Sequence, residues 1–222
     1  VDNKQEPIVK FYSPLEEKLN IATHAFGLVL SVIAAIALLY YASKESNIWH
    51  IGLFAIYSLS LIMLYTASTV YHRSTNALIR ARLRILDHAA IYVLIAGTYT
   101  PFTLITLKGS LGWILFIAVW VFAFIGITLK LFFTGKFNII STLMYVAMGW
   151  LIIFAYEPLL ENLAPKGVFW LILGGVFYTV GALLFSIKRL PLNHAIFHVF
   201  VLLGSFSHFM AVFFYVLPET AS

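Results

Sequence analysis

His194 and His198 stand four residues apart in the run NHAIFHVFVLLGSFSH, 193–208. On a helix that spacing puts two imidazoles on one face, about 6 Å apart in rise, so that one helix offers two nitrogens to one metal ion. Ser68 and His72 repeat the relation in STVYH. A third imidazole from that second segment completes a three-histidine set, which leaves the fourth tetrahedral position open for water, as catalytic zinc sites do. Asp87, in LDHAAIY, is the natural carboxylate for that water or for the second N–H of a ligating histidine. The competing explanation of an HxxxH pair is hydrogen bonding among buried polar groups of neighbouring helices. The chain has no cysteine, so thiolate ligands, disulfides and cysteine nucleophiles are excluded, and any metal must be held by His, Asp or Glu.

The elements that carry these residues are apolar. The 222 residues are 62% hydrophobic and only 10% charged, with a mean hydropathy of +0.95, which is a multi-pass membrane composition. Seven runs are long enough to cross a hydrocarbon core of about 30 Å. They lie near 21–42, 49–71, 87–107, 111–133, 138–156, 168–187 and 194–216, separated by KESN, the basic HRSTNALIRARLR, KGS, TGK, ENLAPKG and KRLPLN. The expected fold is an all-α bundle of seven transmembrane helices. A short cytoplasmic arm, 1–20, precedes the transmembrane domain, 21–216, and a short external tail, 217–222, follows it.

Lys and Arg are unevenly shared between the two ends of such a bundle. Eleven of the 14 fall on the side of the N-terminus, and Lys44, Lys108 and Lys166 fall on the other. Cytoplasmic loops collect basic residues, so the N-terminus is expected inside, the C-terminus outside, and the protein in the cell membrane. The same asymmetry explains the net charge of +5 through topology and contact with anionic headgroups rather than nucleic acid. No phosphate-binding or dinucleotide fingerprint is present, and the last span contains no lysine for a retinal Schiff base.

The seven-span topology tests the polar residues as a set. His24, His72, Asp87 and His194 all fall at the end of the bundle that carries the N-terminus, near the cytoplasmic leaflet in the expected orientation. Ionisable groups in spans are functional candidates, because hydrocarbon penalises a charged Asp at mid-helix by at least about 2.5 kcal/mol. His50 reads as interfacial. His88 adjoins Asp87 but points about 100° away, and His208 lies about 15 Å beyond His198, so both read as structural or supporting. His24 is open between the two roles. The glycines at 126, 149, 174, 175 and 181 read as sites of close helix contact.

These residues resemble the motifs of the hemolysin III family, the bacterial branch of the progestin and adipoQ receptor family, grouped with the alkaline ceramidases in a wider superfamily of seven-helix metal-dependent hydrolases. The matching motifs are Glu17, Asn20 and His24 in EKLNIATH, Ser68 and His72 in STVYH, Asp87 in LDHAAIY, and His194 with His198. They occur in order across essentially the whole chain. The resemblance implies a Zn2+ ion held by His72, His194 and His198, with Asp87 contacting the zinc-bound water and Ser68 nearby. It implies a hydrolase of a lipid amide or ester, with a membrane lipid as substrate or ligand. The alternatives are a non-enzymatic role in membrane fluidity, energetics or sensing, and the pore-forming lysis of the family's name. No span shows the sustained charged face of a wide aqueous channel. Neither a protein partner nor an oligomeric state follows from the sequence.

Overall fold

The structure, a computed structural model, describes residues 10–45, 47–133 and 138–220. Lys4, Ser46 of the KESN break, the whole TGK break at 134–136 and the last two residues of the tail lie outside the described residues. The helices are α1 Pro14–Glu45, α2 Ile48–Arg73, α3 Ala77–Pro101, α4 Gly109–Phe133, α5 Asn138–Gly149, α6 Tyr156–Asn162, α7 Pro165–Ser186 and α8 Asn193–Ala211. A tight turn, Leu151–Ala155, joins α5 to α6 within one span. Seven helical segments are thus long and apolar enough to cross a membrane. Among the described residues there is no strand, and the chain is a multi-pass membrane protein.

Helix α1 starts at Pro14, well before the apolar run begins near residue 21. Its first turn is fixed by local polar bonds. The Ser13 hydroxyl accepts from the Glu16 amide at 3.3 Å, and Glu17 Oε1 accepts from the Tyr12 amide at 3.0 Å, reciprocal bonds that satisfy donors the helix start leaves open. Asn47 and Asn76 cap α2 and α3 by accepting from His50 and Ile79 amides, each at 3.0 Å.

Helix α3 is the most buried of the spans and packs against α2 and α4. Helices α1, α2 and α3 form one tightly packed set, α7 and α8 form another, and α8 closes back onto α1. Large apolar side chains such as Phe26, Ile33, Ile36 on α1 and Phe124, Phe132 on α4 face outward, where hydrocarbon rather than water is the solvent. Hydrophobic burial therefore contributes little between these helices, and close packing must hold them. A Cβ added at Gly174 would run into the His208 ring, and one at Gly126 into the buried Tyr92 ring. Both positions admit only glycine without displacement of a ring.

The fifth span breaks without a proline, and its freed backbone groups need partners in a medium that supplies none. Tyr99 from α3 provides them. Its hydroxyl donates to the Gly149 carbonyl at 2.8 Å and accepts from the Ile152 amide at 2.9 Å. The end of α3 widens instead. Beyond Pro101 the Leu107 amide reaches back five residues to the Phe102 carbonyl at 2.9 Å, closing a π-helical turn over Phe102–Thr106.

Candidate metal centre

Three histidines from two helices converge at the end of the bundle that carries the N-terminus. His72 sits in the last turn of α2, and His194 and His198 lie in the first two turns of α8. His72 Nε2 is 3.0 Å from His194 Nε2, which is 3.1 Å from His198 Nε2. All three residues are buried, and their ligand nitrogens lie within 4.8 Å of one another.

The outer nitrogens decide what the inner ones can do. His72 Nδ1 lies 2.8 Å from Glu17 Oε2, and His198 Nδ1 lies 3.3 Å from the Asn20 carbonyl. Both partners are acceptors, so each Nδ1 carries the proton and each Nε2 presents a bare lone pair in the neutral ring. His194 Nε2 lies between them and has at most one proton to donate. At least one lone pair therefore stays unsatisfied unless a cation sits among the three, and the donor set fits a metal ion. His194 Nδ1 is buried with no hydrogen-bond partner, while Tyr12 stacks on its ring at 4.6 Å between centroids. Burial pushes the Tyr12 phenol above the usual tyrosine range, so it packs as a neutral ring.

Two consecutive glutamates at the start of α1 hold the two histidine-bearing helices. Glu17 takes His72. Glu16 Oε1 accepts from the His194 amide at 3.2 Å, which matters because α8 enters from Leu192 in a left-handed conformation, φ 56°, with no side-chain cap of its own. A carboxylate there also meets the positive end of the α8 dipole.

Behind Glu17 stands Arg80, only 1% exposed. Its Nη2 pairs with Glu17 Oε1. Its Nη1 donates to the carbonyls of Tyr71, His72 and Ser74 at 3.1, 3.2 and 3.0 Å, and its Nε donates to the Lys10 carbonyl at 3.2 Å. Phe11 and Tyr71 rings flank the guanidinium, each 4.5 Å from it. A buried charge is tolerated here because every prong is used. Arg80 thereby closes the C-terminal end of α2, which carries His72, and anchors the strap before α1.

The remaining sequence candidates divide. Asn20 belongs to the centre through its carbonyl, and its side-chain amide lies 3.4 Å from His72 Nδ1. His24 stacks face to face on His198 at 3.5 Å, with both its nitrogens buried and without a hydrogen-bond partner. Asp87 is buried outside the convergent trio. Ser68 lies beside it, fully buried, with a hydroxyl that closes no hydrogen bond. The carboxylate on a histidine's second nitrogen is therefore Glu17, one of the two assignments open to Asp87 on sequence. His88 contributes its carbonyl to the Tyr145 hydroxyl at 3.0 Å. His208 is held away from the trio, its Nε2 3.1 Å from the Leu171 carbonyl. Sequence reading missed Arg80 and Glu16. Arg80 stood in the basic break HRSTNALIRARLR, where the positive-inside rule absorbs it, and the structure places it in the first turn of α3.

A cavity of about 360 Å3 opens beside the trio. Asp87, His24, His194 and His198 are among its lining residues, and apolar side chains such as Leu94, Phe102, Leu159 and Leu171 supply much of the rest. Its size and apolar character suit a small amphiphilic ligand with its polar part at the histidines.

Comparison with known proteins agrees with this architecture. The haemolysin-III-related family profile matches residues 12–209, a range that includes every residue of the centre. The chain is 49% identical to "Hemolysin-3" of Bacillus cereus, over 93% of this chain and 94% of that one. It is 45% identical to the "Hemolysin-3 homolog" of Bacillus subtilis (strain 168), over 90% and 94%. A more distant likeness, 27% over 96% and 91%, links it to the Homo sapiens "Monocyte to macrophage differentiation factor". The chain belongs to the haemolysin-III-related family of multi-pass membrane proteins.

Proposed function

We propose that the protein is a zinc-dependent hydrolase of a lipid amide or ester in the cell membrane, with its N-terminus and metal centre on the cytoplasmic side. The observation that carries this reading is the convergence of three Nε2 lone pairs, two of them on histidines, His194 and His198, that line a largely apolar cavity. His72, His194 and His198 hold the ion, and a trio of imidazoles suits zinc. When bound, zinc lowers the pKa of a water toward about 7 and polarises a carbonyl oxygen.

The chain's own residues supply the rest. Asp87, the one acid lining the cavity among the described residues, accepts the proton that the attacking water loses, at a carboxylate oxygen. Ser68, buried beside that carboxylate, has a hydroxyl still free to donate to it. The apolar walls hold the acyl chain and exclude bulk water, and Glu17 and the Asn20 carbonyl keep the ligand rings in one tautomer. The excess of Lys and Arg at the N-terminal end supports the orientation. Turnover of ceramide and of phospholipid in proteoliposomes tests the reading, with wild type beside His198→Ala and Asp87→Asn. Loss of turnover in both variants is expected, and equal turnover in all three proteins rules the hydrolase out.

A further inference from the structure

Two tyrosines from different elements pack on the candidate ligand histidines. Tyr12, in the strap before α1, stacks on the His194 ring at 4.6 Å between centroids and lies 5.8 Å from the His72 ring. Tyr71, one residue before His72 in the last turn of α2, meets the His72 ring edge-on at 4.6 Å. The Nε2 atoms of those two histidines are 3.0 Å apart, so both phenol rings flank the place where the lone pairs converge. Both tyrosines also line the cavity, together with Asp87. Neither hydroxyl makes a hydrogen bond among the described residues. The two oxygens are within electrostatic reach of each other and of Asp87.

Both rings are held in place. The Tyr12 amide donates to Glu17 Oε1 at 3.0 Å, and the Tyr71 carbonyl accepts from Arg80 Nη1 at 3.1 Å. Each ring also carries a cation on its face, Lys10 Nζ 4.2 Å from the Tyr12 centroid and the Arg80 guanidinium 4.5 Å from that of Tyr71. A cation there draws electron density from the phenol, which makes its hydroxyl a better donor. What such donors could serve follows from the rest of the site. The imidazole lone pairs are acceptors, and an ionised Asp87 is an acceptor too. Two fixed O–H donors beside them complement an oxygen that gains negative charge, as the carbonyl oxygen of an ester or amide does when water adds to its carbon.

We propose that the Tyr12 and Tyr71 hydroxyls form a donor pair for the acyl oxygen of the ligand, and so are catalytic residues of the proposed hydrolysis. The inference rests on the lipid-hydrolase reading and deepens it at the same site. The two rings pack on the histidines, the two hydroxyls hold the acyl oxygen, and Asp87 remains the acceptor of the proton from water.

Tyr12→Phe and Tyr71→Phe remove the hydroxyls and keep the rings on the histidines. The full chain in a neutral detergent, wild type beside both single variants, is titrated with 1-oleoylglycerol and with 1-O-oleylglycerol. These lipids, an ester and an ether, differ by the carbonyl oxygen alone, and binding is read over times in which the ester is recovered intact. The wild type is expected to favour the ester. Each substitution lowers ester affinity about fivefold, the worth of one hydrogen bond, and leaves ether affinity and metal content unchanged. Where the wild type turns the ester over, each lowers kcat about 100-fold, more than it lowers affinity, because the oxygen carries more charge in the transition state. Equal affinity of the wild type for the two lipids, a preference that both variants retain in full, or an equal loss toward both lipids overturns the donor pair. So does metal loss in either variant, which would make the tyrosines supports of the histidines alone. The expected binding pattern in a wild type that turns nothing over would keep the donor pair as a ligand site and remove the hydrolase.

Discussion

Glu17 Oε2 lies 2.8 Å from His72 Nδ1, while Oε1 of the same carboxylate pairs with Arg80. One side chain thus fixes the tautomer of a candidate ligand and ties it to the buried arginine that closes the end of α2. Glu17→Gln keeps an acceptor but removes the charge that makes the imidazole a better donor to a metal. It is expected to weaken metal affinity about 10- to 100-fold, as read by chelator competition on the purified protein. Unchanged affinity would make Glu17 a partner of Arg80 alone.

Arg80→Met tests the other half of that relay. It leaves the carbonyls of Tyr71, His72 and Ser74 without a donor and strands the Glu17 charge. Breaking a buried pair from one side costs about 3–5 kcal/mol, so chemical unfolding in detergent should show a loss of that order. Arg80→Lys should recover little of it, since an ammonium has no planar fork to serve α2, Glu17 and the strap together. Full stability in Arg80→Lys would contradict the role given to the fork.

His208 separates structure from chemistry. Its Nε2 serves the Leu171 carbonyl, and its ring packs on Gly174. His208→Ala is expected to leave metal content unchanged and to lower stability by about 1–3 kcal/mol, the cost of an unpaired buried carbonyl. Gly174→Ala, by overpacking the same contact, should cost a similar amount, about 1–3 kcal/mol. Metal loss in His208→Ala would place this histidine in the centre after all.

The sequence made the trio legible because its geometry is local. A four-residue spacing on α8 and one histidine at the matching end of α2 are enough to bring His72, His194 and His198 to one depth. The seven spans were legible for a similar reason, as each is an apolar run bounded by charge or turn residues. Less visible was whatever depends on a partner far along the chain. The start of α1 at Pro14 is hidden from hydropathy because Glu16, Glu17 and Lys18 interrupt the apolar pattern, and these two glutamates are the residues that grip α2 and α8. Arg80 read as a topology signal, though it is nearly inaccessible. The break after Gly149 has no proline to announce it, and only the approach of Tyr99 accounts for it. Lys130, near the end of the fourth run, read only as one of the basic residues of the N-terminal side, and its burial comes from tertiary packing.

Whether the three converging lone pairs hold a metal ion is read by elemental analysis of the protein, purified without chelator, beside His72→Ala and His198→Ala. One zinc per chain is expected in the wild type, and its loss in both variants. A wild type without stoichiometric metal, or variants that keep it, would mean that these histidines hold no ion.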